Sequence, residues 1–426
     1  MIIGTAVVDG AESLGVAERS VTVSGEDGWE AIIDEFDAVA PVATMSFDDS
    51  AAAVDAEFAD FLDEIAPWRA EQSTAVALAA YVVWSATVEP HGYIRRESVL
   101  MSKHWMDKLW SWDHCFNALA LAGSTRLAID QFLAPFDHQD AAGALPDSIT
   151  HSEVLYNYVK PPIHGWALAK LRPRLSEELD QTTLVEIYTR MSAWTRFWLD
   201  ARRVPGHAIP YYQHGNDSGW DNSTMFDHHR VVEAPDLAAF LIIQLDVLAD
   251  LADEVGIEGA AAWRTERDAL ASALVGELWD GARFVARGAA DGEAGSTSSL
   301  LNVMAVVAAD RFPPEIGTAL ATGVGEHVTE WGLATELPSS PHYEADGYWR
   351  GPIWAPSTVL IEDGLRRAGF TELADAVSDR FRRLCERSGF AENFDALTGE
   401  GLRDRAYTWT ASAYLLLTHE ATLRSV

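Results

Sequence analysis

From Asp48 to the C-terminus, apolar residues recur at three- and four-residue spacing, the period of helices with one buried face. The pattern predicts helices over Asp48–Ile65, Ser73–Thr87, Cys115–Ala122 and Leu127–Asp137, and another from Pro161-Pro162 through Leu171. It continues over Leu179–Arg202, Pro235–Val255, Gly259–Asp280, Ser296–Ala309, Pro314–Val324, Pro356–Ala368, Thr371–Arg387 and Tyr407–Leu423. Before Asp48 the period changes. Ser20-Val21-Thr22-Val23-Ser24-Gly25 alternates like a strand, and Ala40–Phe47 reads as a second short extended stretch. Two strands alone do not make a stable sheet domain. Residues 1–47 are therefore expected as a short extended segment, either packed on the helices or the end of a larger β-domain. Residues 48–426 are expected as one helical domain.

No strand–helix–strand alternation runs through the helical region, and no exact repeat marks a solenoid. About a dozen helices with connecting loops fit an all-α toroid. A closed double ring leaves no open end and gathers its loops at one mouth. Several loops have the chemistry for such a mouth: Gly215–Thr224, Trp110–His114, Tyr348–Trp354 and Phe390–Phe394 combine aromatic rings with carboxylates and amides.

Composition narrows the partners. The chain has 426 residues, 16 of them Trp, with a net charge of −34 and only four lysines, Lys103, Lys108, Lys160 and Lys170. Such a surface repels phosphate backbones and anionic lipid, which argues against nucleic-acid or membrane-surface partners. No apolar run approaches the ~18 residues of a membrane span, and no basic segment precedes an apolar one at the N-terminus. The expected location is the cytoplasm. Cys115 and Cys385 give no disulfide framework. The oligomeric state is not legible.

The loop Gly215–Thr224 carries the candidate chemistry. An indole face can stack on sugar C–H groups while neighbouring carboxylates and amides bind hydroxyls. The alternative is an Asx-rich connector in which Asp217 or Asp221 caps a helix. Asp227-His228-His229 superficially suits a metal, but adjacent rings point apart and no third ligand has the right spacing, so neither metal nor cofactor is expected.

The motifs, taken in order, resemble glycoside hydrolase family 63 and its neighbours, among them trehalases and the mannosylglycerate and glucosylglycerate hydrolases. The residues that carry the likeness are Trp110-x-Trp112-Asp113, Gln139 with Gly143-x-Leu145-Pro146-Asp147, Lys160-Pro161-Pro162, Ser218-Gly219-Trp220-Asp221-Asn222-Ser223, Tyr348–Trp354, Glu392-Asn393-Phe394 with Thr398-Gly399, and Tyr407-Thr408-Trp409. The resemblance implies an (α/α)6 barrel and hydrolysis with inversion. It implies Asp221 as general acid and Glu392 as general base, with Asp217 and Glu336 as their rivals. It places Trp112 and Asp113 around the sugar, and Trp110, Gln139, Lys160, Asn216, Trp220, Trp349, Arg350, Trp354 and Trp409 along the pocket. Inverting chemistry needs two carboxyls ~6.5–9.5 Å apart, one protonated and one ionised. An indole beside Asp221 would favour its protonated form.

Many family members carry a large N-terminal β-sandwich, and the short extended stretch that ends near Phe47 would suit the end of such a domain. A shortened form or a late start codon is the corresponding expectation, tested by the coding sequence upstream. The substrate expected first is a small α-glucoside or oligosaccharide. The alternative is glucosylglycerate or mannosylglycerate, whose carboxylate needs a cation, with Arg95, Arg96 or Arg230 as candidates. A different class is a carbohydrate-binding barrel without catalysis. An epimerase using His104, His114, His138 or His214 is a further option.

Overall fold

A computed structural model describes residues 5–13, 16–24, 45–70, 73–103 and 106–425. The chain divides into two compact units, Met1–Asp60 and Phe61–Val426. The first contains an antiparallel pair, β1 (Thr5–Ser13) and β2 (Val16–Ser24), in register from Thr5 opposite Ser24 to Ser13 opposite Val16. The alternating stretch found in the sequence is the second half of β2. Most of the predicted Ala40–Phe47 strand lies outside the described residues, and Phe47 already opens α1 (Phe47–Ile65). Ser46 and Asp49 form a reciprocal start signal for that helix, with the Asp49 N–H donating to Ser46 Oγ at 3.2 Å and Ser46 Oγ donating to Asp49 at 2.8 Å.

The second unit is an (α/α)6 toroid built from helical hairpins. Its helices are α2 (Thr74–Trp84), α3 (Asp113–Ala120), α4 (Thr125–Leu133), α5 (His164–Leu171), α6 (Gln181–Arg196), α7 (Pro235–Val255) and α8 (Ala260–Leu278). They continue with a 3-10 segment, Leu300–Arg311, then α9 (Pro314–Glu326), α10 (Ala355–Arg367), α11 (Thr371–Ser388) and α12 (Thr408–Arg424). The inner ring closes on itself. α3 packs on α5, α5 on α7, α7 on Leu300–Arg311, that segment on α10, α10 on α12, and α12 back on α3. Outside it, α4 backs α3, α6 and α8 flank α7, α9 backs Leu300–Arg311, α11 backs α10 and α2 backs α12.

Burial separates the two rings as their sequences require. α7 buries fifteen of its 21 residues and is apolar nearly all round, whereas α8 buries five of its 19 along one stripe. Close approach within the inner ring has a local cause at Gly165 on α5. A β-carbon there would stand 2.4 Å from the Gln244 Cα of α7. Two expectations shift. The helix expected over Ser296–Ala309 is a 3-10 segment with a break at Ala308, where φ is −118° and ψ 17°. The helix after Lys160 begins at His164, because Pro161 and Pro162 occupy the approach to it.

The two ends of the ring differ. At the C-terminal ends of α5, α10 and α12, Lys170 pairs with Asp363 at 2.8 Å and with Glu420 at 2.6 Å. Burial works against the Asp363 charge, but Lys170 and Arg367 outweigh it and hold its carboxyl far below the usual range. This charged knot ties three inner helices together. Their N-terminal ends, on the opposite side, remain open around a cavity. Among the described residues, no helix is long and apolar enough to cross a membrane.

Candidate active site

The cavity has a volume of about 90 Å³ and is lined by Met106, Trp110, Trp112, Asp113, Lys160, Gly219, Asp221, Tyr348, Trp349, Trp354, Tyr407 and Trp409. Most of these sit where an inner helix begins. Trp112 precedes the first residue of α3, which is Asp113; Trp354 precedes α10; Tyr407 precedes α12. A larger space of about 530 Å³ beside the C-terminal end of α5 lacks this convergence, and its Arg172 is paired with Glu254 at 2.7 Å.

The loop after α6 is shaped by its own side chains. Gly215–Ser218 forms one 3-10 turn, and Gly219 leaves it in the left-handed region at φ 74°. Only glycine takes that angle readily. Ser218 Oγ donates to the Gly215 carbonyl at 2.7 Å and accepts from the Trp220 N–H at 3.1 Å. Asn222 then stitches this loop to the one before α10. Its amide donates to the Gly347 carbonyl at 3.0 Å, and its side-chain oxygen accepts from the Trp349 N–H at 3.0 Å. In the loop before α12, the Glu392 backbone N–H donates to the Asp404 carbonyl at 2.8 Å.

Aromatic rings form the walls. Trp349 stacks on Trp354 with centroids 4.1 Å apart and planes 6° from parallel, and Trp220 backs Trp349 at 4.6 Å. Trp112 meets Trp409 edge-on at 4.8 Å. Within these walls Asp113 Oδ2 and the indole N–H groups of Trp349 and Trp409 are buried without a partner in the protein. An acceptor and two donors left open beside flat apolar rings are the complement of a sugar, which presents C–H faces and hydroxyls.

Two carboxyls, Asp113 and Asp221, line this space, a third, Glu392, acts on it electrostatically, and burial raises the pKa of each. Asp113 is pushed up to about 8, with Lys160 opposing the shift. Glu392, 6% exposed, is pushed up to about 7, opposed by Arg403. Asp221 is also raised by burial, opposed chiefly by Lys160. Glu392 is not itself among the lining residues. Yet Asp221, Glu392 and Asp113 all act on the Tyr348 phenol, which burial and those charges hold above its ordinary value. Lys160 keeps its proton. Burial opposes its charge, but Asp221, Asp147 and Asp113 overcome that, and Asp147 lies 3.0 Å from its Nζ.

Several residues expected at the site, Asp217 and Glu336 among them, are not among those that line the cavity. Asp217, 1% exposed, accepts from the Val159 N–H at 3.1 Å and the Gln213 N–H at 2.9 Å, and pairs with Arg202 at 3.2 Å. Gln139 donates to the Gly143 and Arg190 carbonyls at 2.9 and 3.0 Å. Glu336 is fully buried; its Oε2 accepts from Thr224 Oγ1 at 2.7 Å, and its Oε1 has no partner in the protein. Arg350 donates to the Asn222 carbonyl at 2.7 Å and pairs with Asp227. Asn216 offers its backbone carbonyl to Lys160 at 2.9 Å, and Trp220 lies one ring deeper than Trp349. Met106, Gly219, Tyr348 and Tyr407 line the cavity without having been singled out as site residues. Tyr348 and Tyr407 lie within quoted motifs, so their position beside tryptophans was an available signal.

Other expected groups are occupied elsewhere. Arg95 donates to the Asp137 carbonyl at 3.0 Å and Arg96 pairs with the Asp137 carboxylate at 2.8 Å, while Arg230 is exposed. His114 shares its Nδ1 with the Trp110 carbonyl at 2.9 Å, and burial lowers its pKa to about 4. His138 bonds the Tyr93 carbonyl at 2.7 Å, and His214 stacks on Tyr158 at 4.9 Å. His104 lies outside the described residues. Among the described residues no group of three His, Cys, Asp or Glu side chains is placed to hold a metal ion.

Comparison with known proteins bears on the family and the fold. The model of the mannosylglycerate hydrolase MGH1-like glycoside hydrolase domain matches residues 106–410. A mannosylglycerate hydrolase of Rubrobacter radiotolerans is 25% identical, over 72% of this chain and 89% of its own length. Crystal structures of the GH63 mannosylglycerate hydrolase from Thermus thermophilus share the fold. The complex with Tris superposes at a TM-score of 0.72 with 19% identity, and the complex with Tris and D-glycerate at 0.69 with 20%. Each covers 81% of this chain and 100% of its own.

Proposed function

Because this chain belongs to the mannosylglycerate hydrolase MGH1-like glycoside hydrolase family, we propose that it hydrolyses an α-linked hexosyl glycerate with inversion, using Asp221 as general acid and Glu392 as general base. It is a glycoside hydrolase; the substrate and the roles of the two carboxyls are the proposal. What supports the roles is that Asp221 lines the cavity, while the loop carrying Glu392 is tied to the loop carrying Tyr348 and Trp349 by the paired Ile353 and Phe394 backbones at 2.7 and 3.1 Å.

In this mechanism the sugar ring lies between Trp112, Trp349 and Trp409, and Asp113 Oδ2 accepts from one of its hydroxyls. Asp221, protonated because burial favours the neutral form, gives its proton to the glycosidic oxygen as that bond breaks. Glu392, ionised, takes a proton from a water that attacks the anomeric carbon on the opposite face. The product sugar leaves with the opposite configuration. Burial raises the pKa of Asp221 and lifts that of Glu392 to about 7, which suits a proton donor and a proton acceptor.

A neutral α-glucoside is the second reading. It is favoured by the engagement of Arg95 and Arg96 with Asp137, which leaves Lys160 as the only cation among the lining residues. The test is hydrolysis of mannosylglycerate, glucosylglycerate, kojibiose, nigerose, maltose, isomaltose and trehalose, with proton NMR of the earliest product. β-Sugar released first, and fastest from a hexosyl glycerate, supports the proposal. Faster turnover of a disaccharide selects the second reading, and α-sugar as first product refutes the inverting roles.

A further inference from the structure

Among the described residues only two non-glycine side chains sit on left-handed backbone: Tyr348 at φ 63° and Arg403 at φ 60°. They touch each other. The Arg403 guanidinium lies over the Tyr348 ring, 5.0 Å from its centroid. Such backbone is unfavourable for residues with a β-carbon and persists where surrounding contacts enforce it. Here the contacts are visible. Arg403 Nη1 donates to Asn393 Oδ1 at 2.9 Å, and Nη2 pairs with Asp346 at 2.7 Å. One guanidinium thus holds Asp346 and Tyr348, in the loop before α10, and Asn393, next to Glu392 in the loop before α12.

We propose that Arg403 is a positioning residue of this site, a clamp that fixes the turn carrying Tyr348 to the turn carrying Glu392. The inference rests on the reading of Glu392 as the base. The backbone already brings the two loops together. The Ile353 N–H donates to the Phe394 carbonyl at 2.7 Å, and the Phe394 N–H donates back at 3.1 Å. Glu392 and Tyr348 both lie just beyond these bonds. Their side chains need a further tie, and Arg403 supplies it through a planar fork and a cation–π contact, neither of which Lys reproduces in full. The same guanidinium is the main charge favouring the ionised Glu392 against its burial. Tyr348 is held as a wall of the cavity by the same contact, and its carbonyl accepts from Trp354 Nε1 at 2.9 Å.

The test compares wild type with Arg403→Gly, Arg403→Ala and Arg403→Lys. Glycine accepts the left-handed backbone without strain, so Arg403→Gly removes the guanidinium with the least threat to folding, which thermal unfolding verifies. The first readout is the Glu392 carboxyl titration by carbon-13 NMR, assigned by the signal lost in Glu392→Gln. It requires no substrate, so it reports on the clamp even if hexosyl glycerate proves the wrong substrate. The second is the acid limb of kcat/KM against pH on whichever glycoside the protein hydrolyses. The expected result is an upward move of the Glu392 midpoint and of the acid limb in Arg403→Gly and Arg403→Ala. That move reads as a loss of roughly threefold or more in kcat/KM at pH 6, with partial recovery in Arg403→Lys. A folded Arg403→Gly protein whose Glu392 titrates at the wild-type midpoint overturns the proposal. So does an activity loss of equal size at every pH.

Discussion

Gly219 lies flat on the Trp112 indole, so closely that a β-carbon on it would stand 2.3 Å from the ring's Cζ2. The glycine is also in the left-handed region at φ 74°. Gly219→Ala therefore meets two penalties, backbone strain of about 1 kcal/mol and overpacking of about 1–3 kcal/mol. Gly206, at φ 88° with open space around its missing β-carbon, meets only the first. Thermal unfolding should show a clearly larger loss for Gly219→Ala than for Gly206→Ala. Turnover should fall only in the former, since Trp112 must move off the sugar face. Equal losses in the two variants would mean that Trp112 yields freely.

The rate should follow a bell in pH. Glu392 must be ionised to act as base, and burial lifts its pKa to about 7. kcat/KM should therefore fall as pH drops below about 7. Asp221 must be protonated, and its raised pKa extends the working range upward until that proton is lost. Glu392→Gln and Asp221→Asn should each lower kcat by ~10²–10⁴-fold, the usual reach of acid–base catalysis. A profile that stays flat down to pH 5 would remove Glu392 from the base's role.

Asp217 and Asp221 stand four residues apart and should respond differently. Removing the Asp217 carboxylate strands the buried Val159 and Gln213 N–H groups and unpairs Arg202. An unsatisfied buried group costs about 1–3 kcal/mol. Asp217→Ala should therefore unfold several degrees lower while its folded fraction keeps measurable turnover. Asp221→Ala should keep its melting temperature and lose turnover. Differential scanning calorimetry beside active-fraction kinetics decides it, and the reverse pattern would exchange the two roles.

Stability should carry the mark of the buried base. Glu392 has a folded pKa of about 7 against an ordinary 4.5. Between those values the folded protein binds a proton that the unfolded chain does not, so stability falls as pH rises through that window. Glu392→Gln removes this dependence. Relative to wild type, its melting temperature should rise more at pH 8 than at pH 5, while its activity is lost. No difference between the two pH values would contradict the burial of that carboxyl.

Most helices were legible because an apolar stripe has a period. Pro235–Val255 and Thr371–Ser388 begin and end within a residue of expectation. Polar loops offer no such period. Nothing in Gly215–Thr224 tells which of two aspartates turns inward to backbone donors and which faces the cavity, because that follows from Gly219 and from Val159, 58 residues upstream of Asp217. Gln139 and Arg350 sit in the right motifs and yet hold loops together, since an amide or guanidinium serves either purpose equally well. The place of Arg403 was not legible at all. Its partners Asp346, Tyr348 and Asn393 come together only after two loops meet.

The closing of the inner ring also sets an order of events at the ribosome. The N–H and hydroxyl of Thr408 bond the Met101 carbonyl at 3.0 and 3.1 Å, and Ser412 Oγ donates to Asn117 at 2.9 Å. These contacts join the first inner helix to the last across some three hundred residues of chain. During synthesis the early helices can pair locally, but the seam stays unsealed until α12 has cleared the exit tunnel. Trp409 is translated with that stretch, so a nascent chain interrupted before Thr408 would lack the ring that meets Trp112 edge-on at 4.8 Å.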